Sequence, residues 1–311
     1  MSALICGSMA YDTIMVFPDS FKNHILPDKI HILNVAFLVP ELRREFGGCA
    51  GNVAYNLGLL GGSGKIMATV GDDFGNYKKW LEDHGITMEH IRHIANSYTA
   101  QAYITTDQDD NQITAFHPGA MNYSQQNKVS DAASITIGMV SPDGRDGMIE
   151  HAQQFADANI PFIFDPGQGL PMFGKKELNQ FIDQATWIAV NDYEGEMLQD
   201  KTGLSLHAMQ EHVRAIIVTR GSEGSRIFHD GTITEIPVVE IDTIKDPTGC
   251  GDAYRAGLLY GLMNNMDWQT TGRIASLMGA IKIGHAGTQN HCFSKDEFYA
   301  RYQEVFGSSL D

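Results

Sequence analysis

The sequence predicts an α/β fold: a mostly parallel central sheet flanked by helices, with a smaller β-rich part. Three observations predict it. From residue 134 onward, short apolar runs alternate with amphipathic helical stretches, which is typical of parallel strands joined by right-handed crossovers. Two earlier segments, 13–45 and 98–118, contain β-branched and aromatic runs separated by polar turns. Of the 311 residues, 43% are hydrophobic, which is enough for a large buried core.

The first half of the chain contains both kinds of segment. We predict a strand at ALICG, an acidic turn at Tyr11-Asp12, and small-sheet segments at HILNVAFLV, TAQAYITTD and NQITAFHPG. Between them lie a helix at GNVAYNLGLLG, a strand at KIMATVG, and a helix at NYKKWLEDHG that a glycine ends. We expect the β-rich segments, about 13–45 and 98–118, to form a lid on a single domain spanning 1–311.

The second half of the chain carries the regular alternation. Strands are predicted at SITIGMVS, PFIFDPG, TWIAVND and AIIVTRG, with helices such as GMIEHAQQFADAN and KELNQFIDQA between them. A hairpin at GSRIFHDGTITEIP precedes a mostly helical last third. The last three of these strands end in polar residues or glycine, and in open α/β sheets the ligand crevice lies beyond the carboxyl ends of the strands. These strand ends therefore mark a candidate site.

Charge and cysteine usage narrow the class of protein. The net charge of −16 leaves no basic stripe that would neutralise phosphates, so we expect neither a nucleic-acid nor a membrane partner. The four cysteines are widely scattered, which favours free thiols in a reducing compartment. The beginning of the sequence lacks the pattern of a signal peptide, and no apolar run is long enough to span a bilayer. We therefore expect a cytoplasmic protein.

The segment DPTGCGDAYRAGLLYG, residues 246–261, places a glycine turn directly before a helical run. Such a turn offers unpaired backbone N–H groups and the positive end of the helix dipole to an anion. Asp252 in the same turn would accept a proton from an attacking hydroxyl as a general base. The same position also suits an acid that only caps or charges the first helical turn. Both interpretations are consistent with this segment alone.

The segment FGGCAGNVAYNLGLLGG, residues 46–62, is the second glycine-rich stretch. Its glycines permit close approach to the backbone, and Asn52 is placed to offer an amide to hydroxyl groups. Glycines that merely pack a loop would give the same pattern. The spacing fits neither the dinucleotide-binding fingerprint nor the phosphate-binding P-loop. A dehydrogenase is therefore disfavoured.

Together, GGCAGNVAYNLGLLGG and DPTGCGDAYRAGLL resemble the two signature segments of the ribokinase-like (PfkB) carbohydrate kinases. GSMAYD and NDYE fall where that family has its substrate carboxylate and its N-x-x-E segment. Within the family, the opening of the chain and FIFDPGQGLP are most similar to the bacterial adenosine and purine-nucleoside kinases. The resemblance implies transfer of the γ-phosphate of ATP to the 5′-hydroxyl of a ribonucleoside such as adenosine, inosine or guanosine.

The resemblance also implies roles for particular residues. Asp252 matches the catalytic base, and the anion hole beside it matches Gly249, Cys250 and Gly251. The residues that grip the sugar match Asp12, Gly47, Gly48 and Asn52. Asn191 and Glu194 match the segment that contacts Mg²⁺ through water, and Asn191, Thr219 and Gly221 match positions near ATP. Asp246 matches a loop that binds a monovalent cation such as K⁺ in many members. Cys250 departs from the small residue usual in the anion hole, and its thiol would make the site sensitive to oxidation.

Other features stay open at the level of sequence. Phe116 is placed either to wall the nucleoside base or to pack inside the lid, while Glu194 and Asp12 also fit a helix start and a turn cap. Residues 98–118 contain no lysine or arginine, so candidates for a positively charged helper at the phosphates are limited to Arg43, Arg44 and His117. Three tryptophans are predicted to be core residues rather than ligand-stacking ones: Trp80, Trp187 and Trp268.

Two other functions remain alternatives. A simple-sugar kinase of the ribokinase or fructokinase type would carry the same signature segments. A non-catalytic sugar- or nucleoside-binding protein would keep the fold without the chemistry. The sequence is compatible with a monomer or a homodimer.

Overall fold

Two sheets organise the protein, which is described here by a computed structural model covering residues 2–109 and 111–310, without the side chains at 29 and 30. Within these residues the large sheet has nine strands. Numbered in chain order and given in spatial order, they are β13 (Thr232–Ile236), β12 (Ser225–His229), β11 (Ala215–Thr219), β10 (Trp187–Asn191), β9 (Phe162–Phe164), β8 (Ile135–Val140), β1 (Ser2–Cys6), β4 (Gly64–Val70) and β5 (His90–His93).

The large sheet is parallel from β11 to β5, and the β12–β13 hairpin extends it in antiparallel fashion. Alternate side chains of its strands enter two separate cores, as for Ile5 and Leu4 of β1. The face that contains Ile5 is covered by α1 (Cys49–Leu59), α2 (Gly75–Asp83), α7 (Cys250–Met263), α8 (Trp268–Ile283) and α9 (Lys295–Phe306). The face that contains Leu4 is covered by α3 (Arg145–Asp157), α4 (Lys175–Gln184), α5 (Asp192–Thr202) and α6 (Leu206–Gln210). The predicted α/β architecture with a mostly parallel sheet is confirmed.

The small sheet is separate from the large one and has four strands among the described residues. In spatial order they are β3 (Glu41–Gly47), β2 (Ala10–Val16), β6 (Ala100–Thr106) and β7 (Gln112–His117). The two outer pairs are antiparallel and the central β2–β6 pair is parallel. Because β3 runs directly into α1, the small sheet delivers the chain to the second glycine-rich segment.

Two local predictions were wrong. Tyr11 and Asp12 lie inside β2 and not in a turn, since β2 finds partner strands on both sides. The apolar run at 31–39 contains no strand, since none of the strands in the described part of the chain pairs with it; its first two residues end a 3-10 helix, Pro27–Ile32, and the rest is irregular. Phe37 from this run instead packs against Phe17 and Phe21 as part of a loop.

The burial of the three tryptophans agrees with their predicted place in the core. Trp187 is buried, and Trp80 and Trp268 are half-buried against the same core, as predicted. Among the helices of the described residues, none combines the length and the apolar character needed to cross a bilayer.

Candidate active site

The N-terminus of α7 forms the centre of the candidate site. Gly249 is the N-cap residue, and the Cys250 N–H donates to Pro247 O at 3.2 Å. Within residues 2–109 and 111–310, the next two N–H groups, of Gly251 and Asp252, have no protein acceptor. Gly251 is exposed, and a side chain there would meet open space. The helix therefore begins with two free donors and its positive dipole end, next to the open space beside Gly251.

Asp252 lies in the first turn of α7 and is half-buried. Its carboxylate makes no capping bond to the helix; Oδ2 instead accepts from Asn52 Nδ2 at 2.8 Å. Burial raises the pKa of Asp252 to about 7, an effect that the Asn52 hydrogen bond opposes and the nearby Asp165 strengthens. A carboxylate with a pKa near neutrality and no ion-pair partner of its own has the properties of a general base.

A buried hydrogen-bond network positions Asn52. The side chain of Gln289 donates to Asn52 Oδ1 at 2.9 Å and to the Tyr77 hydroxyl, and it accepts from Trp80 Nε1 at 2.9 Å. Tyr77 in turn donates to Gly47 O at 3.0 Å. The network fixes the amide orientation of Asn52 so that its N–H faces Asp252. Sequence reasoning missed Gln289, which is 237 residues away from Asn52 in the chain and belongs to no motif.

The two glycines before α1 allow the chain to pass close to Asp12. A Cβ on Gly47 would lie 2.5 Å from Asp12 Oδ2. Gly48 has a φ of +88°, and a Cβ there would lie 2.5 Å from Ser8 O. Glycine is therefore required at position 48 by the backbone, whereas a side chain at position 47 would displace the Asp12 carboxylate.

Asp12 is half-buried in β2, and its pKa is raised to about 6 by burial, with Asp246 and Glu45 adding to the effect. Among the described residues no hydrogen-bond donor lowers its pKa. Asp12 lies against Gly47, whose carbonyl accepts from the Tyr77 hydroxyl. The Gln289 amide connects that hydroxyl to Asn52, the hydrogen-bond partner of Asp252. Asp12 is thus a carboxylate with free acceptor capacity on the same side of the molecule as Asp252.

The small sheet places two further candidates, Phe116 and Arg43, on the same face as Asp12. Ala102 lies opposite both Asp12 and Phe116, so these side chains share one face of the sheet. Phe116 is 51% exposed on that face and is not packed in a core. Arg43 lies opposite Ile14, which is two residues from Asp12 in β2, so Arg43 is on the same face as Asp12. Its Nη2 donates to Asp246 Oδ2 at 3.4 Å.

The other two candidates for a positively charged helper are placed differently. The Arg44 guanidinium lies 3.7 Å from the centre of the Tyr11 ring and 3.5 Å from Asp73 Oδ2, on the face opposite to Asp12. His117 is exposed and neighbours Tyr98. Of the three candidates, Arg43 alone contacts the segment that leads into α7.

The carboxyl ends of β10 and β11 hold the residues predicted to lie near ATP. Asn191 and Thr219 are register partners at these two strand ends, and exposed Gly221 follows in the next turn. Asn191 and Glu194 form a capping box at α5: Asn191 Oδ1 accepts from Glu194 N at 2.7 Å, and Glu194 Oε2 accepts from Asn191 N at 2.8 Å. Glu194 is therefore a helix-capping acid as well as a candidate metal residue.

A buried ion pair between Asp165 and Arg255 lies near both Glu194 and Asp252. Arg255 Nη2 donates to Asp165 Oδ1 at 3.1 Å, and both side chains are less than a tenth exposed. Burial raises the pKa of Asp165, with Arg255 opposing this, and burial followed by Asp165 raises the pKa of Glu194. Sequence reasoning did not single out Arg255, although it lies three residues after Asp252.

The cysteines of the site are thiols without disulfide partners. Cys49 and Cys250 are both unpaired, as are the other two cysteines of the chain. Burial raises the pKa of Cys250 to about 11, so the thiolate is scarce at neutral pH. The Cys250 thiol therefore lacks the low pKa that would favour the predicted sensitivity to oxidation.

Comparison with known proteins identifies the relatives of this arrangement. Residues 10–296 match the sequence model of the pfkB family carbohydrate kinases. The chain is 29% identical over 273 residues to the nucleoside kinase of Methanocaldococcus jannaschii (87% of this chain, 90% of that protein). It is 30% identical over 305 residues to the nucleoside kinase of Methanothermobacter thermautotrophicus (95% and 97%).

Solved structures give the same picture. The nucleoside kinase of Burkholderia thailandensis in complex with inosine superimposes with a TM-score of 0.91 at 49% identity, covering 99% of both chains. The complex of that enzyme with ADP-inosine gives a TM-score of 0.89 at 50% identity, over 99% of this chain and 97% of that one.

Proposed function

Because this chain belongs to the pfkB family of carbohydrate kinases and has the ribokinase-like fold, we propose that it is an ATP-dependent nucleoside kinase. The acceptor is the 5′-hydroxyl of a ribonucleoside, with purine ribonucleosides such as inosine as preferred substrates. The observation that carries the proposal is the pairing of Asp252, held by Asn52, with two free N–H groups of α7. Relatives named nucleoside kinases, one of them bound to ADP-inosine, support the substrate class.

Asp12 and Asp252 divide the work on the nucleoside. The free acceptor capacity of Asp12 suits the vicinal hydroxyls of ribose, which would each donate to the carboxylate. Asp252 would take the proton of the 5′-hydroxyl as its oxygen bonds to the γ-phosphorus, while the bond from that phosphorus to the ADP oxygen breaks. The proton leaves on Asp252, and the products are the nucleoside 5′-phosphate and ADP.

The N-terminus of α7 would bind the phosphoryl group while it is transferred. The N–H groups of Gly251 and Asp252 are free, and their partial positive charge would stabilise the negative charge on the phosphoryl oxygens. These donors are fixed by the helix and need no reorganisation during the reaction. Asn191, Thr219 and Gly221 would line the approach of ATP along the carboxyl ends of the strands.

The acidic groups on the ATP side fit a hydrated Mg²⁺. Asp165 raises the pKa of Glu194, and a nearby dication would relieve the repulsion between these two carboxylates. In the part of the chain that is described, no three His, Cys, Asp or Glu side chains are grouped to hold a metal directly. Asn191 and Glu194 would therefore contact the ion through its waters, and bound to ATP the ion would neutralise phosphate charge.

The small sheet would act as a lid on a single domain comprising residues 1–311. It carries Asp12 and exposed Phe116 on one face, so closure would bring an aromatic ring over the bound nucleoside. Excluding water in this way would limit transfer of the phosphoryl group to water.

The experiment that tests the proposal measures ADP formation with Mg-ATP and a panel of nucleosides and free sugars. The Asp252→Asn variant, purified in parallel, controls for contaminating kinases. We expect inosine, adenosine or guanosine to give a kcat/KM at least tenfold above that for ribose or fructose. A preference for a free sugar would establish a simple-sugar kinase instead. Absence of ADP formation with every acceptor would leave a non-catalytic binding protein.

A further inference from the structure

The loop at Asp246, where the family resemblance implies a monovalent cation, already contains a cation from the protein. Lys282, at the last turn of α8, is 0% exposed. Its ammonium donates to Asp246 O at 2.7 Å and to His285 O at 3.2 Å. These backbone carbonyls come from two different loops, and the ammonium joins them.

The Asp246 carboxylate and the Ile283 carbonyl are also paired with protein donors. Asp246 Oδ1 accepts from Thr248 N at 2.9 Å, and Oδ2 accepts from Gly287 N at 2.9 Å and from Arg43 Nη2 at 3.4 Å. The carbonyl of Ile283 accepts from the N–H groups of both Lys245 and Asp246. K⁺ needs several oxygen ligands without competing donors, so these residues do not fit a bound K⁺.

We propose that the ammonium of Lys282 takes the place of a monovalent cation and that this kinase is independent of K⁺. K⁺ and a primary ammonium are monovalent cations of similar size, and both are satisfied by backbone carbonyls. Binding both at the same carbonyls would place two like charges in contact in a buried site, which is unfavourable. The inference rests on the proposed kinase function.

The position of Lys282 links it to catalysis through the anion-binding turn. Asp246 begins the short segment that leads to Gly249 and the first N–H groups of α7. By holding the Asp246 carbonyl, Lys282 fixes the direction in which that segment enters the helix. Burial lowers the pKa of Lys282, an effect that Arg43 strengthens and that Cys250, Asp246 and Asp252 oppose, so this ammonium interacts electrostatically with the acidic groups of the site.

The first test compares wild-type turnover of inosine in chloride salts of K⁺, Na⁺ and tetramethylammonium at one ionic strength. We expect rates that agree within twofold. A saturable activation by K⁺ of fivefold or more would overturn the proposal.

The second test removes the internal cation with Lys282→Ala and uses Lys245→Ala as a matched control on the exposed neighbouring position. We expect the Lys282 variant to lose at least tenfold in kcat in tetramethylammonium and to recover at least threefold in K⁺, with the control unchanged. A folded Lys282 variant whose rate is the same in both salts would overturn the proposal. If the variant does not fold by circular dichroism, the wild-type comparison decides.

A third measurement is independent of turnover. Calorimetric titration of the wild-type protein with Mg-ADP should give the same Kd in K⁺ and in tetramethylammonium within twofold, and a tenfold tighter Kd in K⁺ would contradict the inference. If no nucleoside is phosphorylated, the proposed function fails, whereas this binding comparison still tests the role of Lys282.

Discussion

Replacing Asp252 with asparagine should stabilise the ligand-free protein above neutral pH. The pKa of this carboxyl rises from an ordinary value of 3.8 to about 7 in the folded protein. Since the folded state holds the proton more tightly than the unfolded state, its stability falls as the pH rises from about 4 to about 7. Asparagine has the same shape, keeps an oxygen for the Asn52 N–H, and has no charge to bury.

The size of the effect follows from the pKa difference. A difference of about 3 in pKa corresponds to about 4 kcal/mol at pH 8. Solvent reaches the half-buried side chain and screens it, so we expect the variant to gain about 2 kcal/mol in free energy of unfolding. At pH 5 the folded state keeps its proton, and only the interval of about 1.2 pH units between the ordinary pKa of 3.8 and pH 5 contributes to the destabilisation. The gain should therefore fall to roughly a third of its value at pH 8.

Urea denaturation of both proteins at pH 5 and pH 8 measures this difference, since contributions of other titrating groups cancel between variant and wild type. Asp267 provides a control of opposite sign. It caps α8 by accepting from Thr270 N at 2.9 Å, and this hydrogen bond lowers its pKa, so Asp267→Asn should give no stabilisation that grows with pH. Equal or lower stability of Asp252→Asn at pH 8, or a gain independent of pH, would refute the reasoning.

Three further predictions concern activity, binding and the backbone. The kcat/KM for inosine should fall about tenfold per pH unit below about pH 7, as Asp252 becomes protonated, and a flat profile from pH 5 to 8 would contradict this. Asp12→Asn should weaken nucleoside binding at least tenfold by calorimetry and leave the Kd for ADP within twofold; an equal loss for both ligands would contradict the role of Asp12. Gly48→Ala should lower the free energy of unfolding by about 3 kcal/mol because of its positive φ and its contact with Ser8 O, while Gly58→Ala, at an open position of α1, should be neutral or stabilising; similar effects at both positions would contradict the steric argument.

The parts of the fold that were predicted from sequence are those that local chemistry determines. The strands after residue 134 were recognisable because buried parallel strands need continuous apolar runs, and α7 because a glycine turn precedes an apolar helical stretch. Asp12 was found by resemblance but assigned to a turn, since its strand β2 depends on pairing with β3 and β6. The exposed apolar run at 31–39 shows the converse, because strand propensity without a partner strand gives a loop.

The supporting residues of the site were not predictable from the sequence. Three supporting residues act through contacts with residues 36 to 237 positions away in the chain: Gln289, Arg255 and Lys282. No local sequence pattern around them indicates which residue each one contacts. Arg255 is an ordinary helical residue until the fold buries it against Asp165. Whether a lysine lies in solvent or on backbone carbonyls, as Lys282 does, is decided by tertiary packing.

Turnover of inosine by Asp252→Asn, with Mg-ATP at pH 8, tests most directly whether the Asp252 carboxylate removes the proton of the acceptor hydroxyl. We predict a kcat at least a hundredfold below that of the wild type, with Kd values for inosine and ADP within threefold of wild-type values. A kcat within tenfold of the wild type in a folded variant would show that another group takes the proton.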